Sequence, residues 1–273
     1  MSETPLLTDR AALSRHRARA SSAPALFLHE EARADIEDRL SLVNKSFRDA
    51  AIVTPFAEVW RDAFPAAKII PDAEMLDLDE AAHDLVIHAM ALHWANDPVG
   101  QLIQCRRALI PDGLLLAASF GGQTLHELRA AMGQAEIEIT GGLSPRVAPM
   151  AEIRDLGALL QRAGLALPVA DSAVLTASYP SALHLMRDLR AMGEANALSA
   201  RLRAPTRRGV LLRAAELYAE AYGDAGGRVP ATFELITLTG WAPDASQPQP
   251  LRPGSAAARL ADALGATETP LKD

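Results

Sequence analysis

An α/β fold built on a mostly parallel sheet is the fold class this sequence predicts, and three observations predict it. Short apolar runs alternate with helical patterns from residue 50 to 120, the order expected of parallel strands joined by crossover helices. The run GLLLAASF, residues 113–120, is apolar without alternation, as a strand covered by helices on both faces should be. Two late apolar segments, 168–179 and 230–241, are separated by a pair of helical patterns. Set side by side, they make an antiparallel finish to the sheet.

Each element has its own justification. DRAALSRHRARA, 9–20, is rich in arginine and poor in acid. It reads as a frayed, solvated helix or as an arginine-led contact with a partner or an anionic membrane surface. In LFLHEEARADIEDRLSLV, 26–43, Ile36, Leu40 and Val43 fall at helical spacing. AAIVT, 50–54, is the first strand. PFAEVWRDAF, 55–64, follows as a helix with Pro55 at its first position and Val59, Trp60 and Phe64 toward the sheet. AKIIPD, 67–72, is a short strand closed by Pro71-Asp72. A buried strand begins at Leu85-Val86-Ile87, and DPVGQLIQCRRALIPDG, 97–113, is a helix ending in a Pro-Asp-Gly turn.

Beyond the GLLLAASF strand, Thr124 and Glu127 are spaced as a capping box for the helix of 124–136. Ile153, Leu156 and Leu160 form one helical stripe that Gly164 stops. The strand 168–179 precedes two helices, 181–193 with Ser181 as N-cap and 206–223, before PATFELITLTGWAP, 230–243, as an edge or near-edge strand. Domain boundaries follow: an N-terminal helical arm, 1–49; a main domain, 50–255, with a helical insertion at 180–226; and a tail, 256–273, carrying one weak helix.

Composition limits the function. With 273 residues, 49% hydrophobic and 22% charged, the chain can bury a sizeable core and is not disordered throughout. A net charge of −7 argues against broad nucleic-acid binding. One cysteine, Cys105, excludes an internal disulfide or multi-cysteine metal site and reads as a small core residue in a cytoplasmic chain. No apolar run is long enough to span a membrane, and no signal peptide is expected. The arginines of RLRAPTRRGVLLR, 201–213, suit a solvated helix surface, an acidic partner, phospholipid or, least well for want of interleaved aromatics, RNA.

In such a sheet, ligands bind beyond the C-terminal ends of the strands. The candidates at those edges are Asp72, His88, His93, Trp94, Gly121 and Gly122. His93-Trp94 offers a stacking surface or a core contact. Gly121-Gly122 offers either close backbone approach to a ligand or a tight strand-to-helix turn. No metal spacing is present.

HDLVIHAMALHWANDPVGQLIQCRRALIPDGLLLAASFGGQTLHELR resembles the central segment of class I S-adenosylmethionine-dependent methyltransferases. More narrowly, it is similar to the subfamily of the mitochondrial complex I assembly factor, regarded as an arginine hydroxylase. The likeness continues through EITGGLSPRVAPMAEIRDLGALLQRAGL, YPSALHLMRDLRAMGEANAL and VPATFELITLTGW. The resemblance implies a Rossmann-like fold, an S-adenosylmethionine cofactor and a respiratory NADH dehydrogenase subunit or assembly intermediate as partner. The expected location is the cytoplasm, from cysteine usage, with a peripheral position at an inner membrane face.

The chain departs from the family where the cofactor should sit. The family's glycine-rich turn after the first strand is Thr54-Pro55-Phe56 here, so a fixed φ and a missing amide replace permissive glycine. Phe56 is expected to plug the vacated cleft. Between AIVT and KIIPD there is room for one short helix and no further strand, so six strands are expected where the family has seven. Asp72 matches the family's adenine-side aspartate, and no residue matches its ribose acid. The expectation is a client-binding pseudoenzyme with impaired cofactor binding; the alternative is an active methyltransferase, or a protein arginine hydroxylase, with an atypical pocket.

Overall fold

The computed structural model describes residues 6–248 and Gly265. The chain divides into two compact units, 1–243 and 244–273; the sheet lies in the first. The weak helix expected after residue 255, and the tail boundary there, lie outside the described residues.

The elements are α1 (Arg10–Ala20), α2 (Phe27–Leu42), β1 (Ala50–Val53), α3 (Glu58–Arg61), β2 (Lys68–Ile70), β3 (His83–Ala89), α4 (Pro98–Ala108), β4 (Leu109–Phe120), α5 (His126–Thr140), α6 (Ile153–Arg162), β5 (Ala166–Tyr179), α7 (Ala182–Ala191), α8 (Arg208–Tyr222) and β6 (Val229–Trp241), with a 3-10 turn at Leu92–Trp94. They form one six-stranded sheet in the order β2-β1-β3-β4-β6-β5. The first four strands are parallel, and β6 runs antiparallel to both its neighbours. The six-strand expectation holds: β2 pairs directly with β1, Ile52 opposite Ile69, with no strand between them.

Alternation along the strands sends side chains to two cores, one on each face. Ile52, Leu85, Ile87 and Leu116 pack with Leu28, Ile36, Trp60, Leu128, Leu185 and Tyr218 from α2, α3, α5, α7 and α8. On the opposite face Ala51, Val53, Val86 and Leu115 pack with Leu102, Cys105, Leu156 and Leu160 from α4 and α6. Because both faces are covered, the central strands read as unbroken apolar runs.

Several local expectations change. The helix after β1 is a single turn, Glu58–Arg61, because Pro55 and Phe56 hold the chain in a bend before it. Helix α4 stops at Ala108, and Pro111-Asp112-Gly113 lies inside β4, with Asp112 at φ 60° where the chain kinks. The capping box at α5 does not form. Thr124 instead exchanges hydrogen bonds with the backbone of Glu234, and Glu127 accepts from the Thr232 amide. Ser181 occupies the N-cap of α7, but its hydroxyl faces His184 and caps no amide. Gly164, at φ 77°, stops α6 as its position implies. Strand β6 is near-edge, within the expectation for 230–241, and β5 forms the edge.

Candidate functional site

The C-terminal ends of β1, β2, β3 and β4 converge under α1 and the segment that follows α7. At the β1 turn the Phe56 amide donates to Thr54 Oγ1 at 3.3 Å. The Phe56 ring is buried and stands edge-on to His29, 4.9 Å between centroids, within the same core as Leu28 and Trp60. Phe56 therefore packs against α2 beside the turn.

Asp72, just after β2, is buried. Its carboxylate accepts from Arg17 Nη1 at 2.6 Å and from Arg10 Nη1 at 3.1 Å, and Arg10 Nη2 also donates to the Asp72 carbonyl. Burial pushes its carboxyl up, yet the attraction of Arg17 and Arg10 outweighs that and holds it below the usual aspartate value. Both arginines come from α1, so the arginine-rich arm is an ordered helix docked on a candidate site carboxylate. Asp9 caps it through the Ala12 amide and pairs with Arg201 at 2.9 Å. Thr8 bridges to Leu198 and donates its amide to Asn96. A crevice of about 480 Å³ remains between α1, Pro55, Phe56 and Asp72.

The other candidates separate into three places. His88 lies within β3, fully buried, its Nε2 2.9 Å from Gln101 Oε1, and burial lowers its pKa. His93 and Trp94 stand on the 3-10 turn and meet one carboxylate oxygen, Glu194 Oε2: Trp94 Nε1 donates at 2.6 Å and His93 Nε2 lies at 3.2 Å. Burial raises the Glu194 carboxyl, but His93, Arg17 and Trp94 bring it below its ordinary value. The Gly121-Gly122 turn is closed from behind. The Gly121 amide donates to the Glu234 carbonyl and the Gln123 amide to Glu234 Oε2, both at 2.8 Å. A Cβ on Gly121 would stand 2.6 Å from the Glu234 carboxylate, and one on Gly122 2.6 Å from Glu152 Oε1. Packing restrains Gly121, because the Glu234 carboxylate is held by Gln123 and Ser172, whereas the exposed Glu152 can swing away from Gly122.

A second cavity, of about 400 Å³, lies over the ends of β4 and β6. It is walled by Trp94, Phe120, Leu128, Met132, Met186 and Phe233, with Glu194 on its side and Arg19 and Arg190 at its margin. Sequence reasoning missed Glu194 and Arg17. Glu194 follows Gly193, which stops α7 at φ 78°, and α1 lies against that glycine: a Cβ there would meet Arg17 Cγ at 3.0 Å. No spacing in the sequence announces a contact between residues this far apart.

The turn after β1 lacks glycine, the Gly121 and Gln123 amides are taken by Glu234, and Asp72 is engaged by two guanidiniums.

A family model described as a methyltransferase domain matches residues 14–117. The chain is 40% identical over 198 residues to the mitochondrial arginine-hydroxylase NDUFAF5 of Danio rerio, covering 72% of this chain and 61% of that protein. It is likewise 40% identical over 192 residues to the Homo sapiens protein, covering 70% and 55%. Against the malonyl-[acyl-carrier protein] O-methyltransferase of a Methylovorus species it is 36% identical over 177 residues, covering 65% and 57%. The chain thus spans less than two thirds of the length of these relatives. The five arginine-hydroxylase relatives are all mitochondrial proteins, which corrects the cytoplasmic placement expected from cysteine usage; a reducing environment is not unique to the cytosol. The chain has the class I methyltransferase fold, one strand short, and over most of its length it is similar to the NDUFAF5 arginine-hydroxylases.

Proposed function

We propose that this chain is a methyltransferase-fold protein that holds a segment of a client protein over the ends of β4 and β6, with a weakened grip on S-adenosylmethionine. The client is a respiratory NADH dehydrogenase subunit or an assembly intermediate, reached directly or at a membrane surface. The observation that carries this reading is the closure of Asp72 by Arg10 and Arg17 beside the Pro55-Phe56 turn. A cofactor seated in the ordinary way would have to displace both guanidiniums and find hydrogen-bond donors that this turn does not offer. The 400 Å³ cavity stays accessible and is walled by aromatic and methionine side chains, which suits an adaptable protein contact.

Two measurements test it. Affinity capture from a native host should retrieve a dehydrogenase subunit, and reproducible capture of unrelated partners alone would reject the client. Calorimetry with S-adenosylmethionine should show no micromolar binding, and Phe56→Gly then asks whether the ring is the obstruction.

A second reading is modification of the client by arginine hydroxylation or methyl transfer. It is favoured by the similarity to the arginine-hydroxylases and the O-methyltransferase, and by a buried carboxylate, Glu194, on the wall of the cavity. Mass spectrometry of the co-expressed client separates the cases: the gain of one oxygen, of one methyl group, or no change.

A further inference from the structure

The two edges of the sheet are built differently. Strand β2 has three residues, one of them Lys68, and a short, charged edge does not recruit another strand. Strand β5 has fourteen residues, and its Pro168 and its bulge guard only the beginning. From Val169 to Ala177 its backbone bonds to β6 alone among the described residues; at Ser178 the carbonyl accepts from Arg228 Nη2 at 2.6 Å. Along the α2 side of this edge runs a groove of about 250 Å³. Its floor is apolar, with Ala173, Leu175 and Leu235, and its wall is the α2 stripe of Glu31, Asp35 and Asp38. Arg39 answers Asp35 through Nε at 2.7 Å and Asp171 through Nη2 at 2.6 Å. Glu31 and Asp38 are exposed and have no ion pair among the described residues. Four carboxylates therefore share one guanidinium. On the opposite face of the sheet Val174 is exposed.

We infer that the β5 edge receives an extended segment of a partner protein in which Lys or Arg alternates with apolar residues. The segment adds as a further strand, its backbone pairing with the outward amides and carbonyls of 169–177. Its basic side chains turn to the α2 side. Their aliphatic stems lie over Ala173 and Leu175, and their charged heads reach Glu31 and Asp38. The alternate residues fall beside Val174. Charge decides against a second copy of this chain as the occupant. Two β5 strands paired antiparallel about a two-fold axis bring both acidic grooves to the same side of the joint sheet, like charge beside like. The groove shares no wall residue with the 400 Å³ cavity, so this contact is additional to the client reading and independent of it.

The test uses the full chain and labelled synthetic peptides of about ten residues, long enough to span 169–177. In the first peptide Lys alternates with Val, in the second Glu replaces Lys, and in the third Pro replaces alternate Val residues and removes ladder donors. The Lys-Val peptide should bind and slow hydrogen exchange at the amides of 169–177. The Glu and Pro peptides should each bind about tenfold or more weakly, the scale of a lost ladder or a reversed charge. Glu31→Gln combined with Asp38→Asn should weaken the Lys-Val peptide about fivefold, as two exposed ion pairs would, and keep the melting profile. Equal binding of the Lys and Glu peptides overturns the inference, as does equal binding of the Lys and Pro peptides. So does an unchanged affinity in the double variant, unchanged exchange at 169–177, or no binding at millimolar peptide. Light scattering of the protein alone is the last arm: a dimer whose formation protects the same amides would assign the edge to a second copy and overturn the partner segment.

Discussion

Replacing Asp72 by Asn tests the contact that ties the arm to the sheet. The substitution keeps the shape and removes the charge that faces Arg17, 12% exposed, and Arg10, 28% exposed. Breaking a fully buried pair from one side costs about 3–5 kcal/mol because a charge is left without a partner. Arg10 can turn to water and recover part of that, so the expected loss is about 2–3 kcal/mol. Urea unfolding at neutral pH measures it, and limited trypsin digestion at the arginines of α1 reports whether the arm comes loose. The pH dependence has a definite sign. The folded-state pKa of Asp72 lies below its ordinary 3.8, so its contribution is complete above that value and is lost as pH falls through the lower, folded one. Replacing the buried pair by apolar residues, Asp72→Leu with Arg17→Met, should restore much of the stability, since Arg10 can turn to water and no buried charge is then stranded. An Asp72→Asn protein within about 0.5 kcal/mol of the parent, with α1 still protected from trypsin, would refute this account of the arm.

Three further outcomes are expected. Phe56→Ala should cost about 3 kcal/mol or more in chemical unfolding, because the ring is buried against His29 and the core; a near-neutral result would mean that the ring is not what fills the turn. Burial pushes His29 down to about 4 from 6.5, so the folded state resists protonation and stability should fall as pH drops from 6.5 toward 4. His29→Phe should flatten that slope, and an unchanged slope in a pH series of unfolding midpoints would assign it elsewhere. Burial pushes the Cys105 thiol up to about 12, so a thiol reagent at neutral pH should label it only after unfolding; rapid labelling of the native protein would contradict its place in the core.

Much of the architecture was legible because periodicity is a local property. The strands of 50–53, 83–89 and 113–120 and the stripe of Ile153, Leu156 and Leu160 follow from the spacing of apolar residues. The antiparallel pairing of 168–179 with 230–241 followed from the need of two apolar strands for neighbours, and the register joins Val169 to Thr239 and Leu175 to Phe233. Errors came where a local signal had a stronger competitor elsewhere in the chain. Thr124 and Glu127 have capping-box spacing, but the backbone and hydroxyl of β6 residues claim them. Pro111-Asp112-Gly113 reads as a turn, yet β4 runs through it, with the Asp112 amide donating to the Ala242 carbonyl and the Ala242 amide to the Gly113 carbonyl just beyond β6.

By itself the sequence determined the fold class, the six-strand count, the departure from glycine at Thr54-Pro55-Phe56 and the core role of Cys105. Each of these depends on residue type, spacing or chain length. Only the tertiary structure decided what the polar groups of the site do. Asp72 could be read as a waiting ligand carboxylate until Arg10 and Arg17 were placed against it, some sixty residues away in the chain. Glu194 was one acid among many until α7 carried it onto Trp94 and His93. The physical reason is that a hydrogen bond or ion pair acts over about 3–4 Å whatever the sequence separation, so charge partners in this site are set by how α1 and α7 pack and by no pattern along the chain.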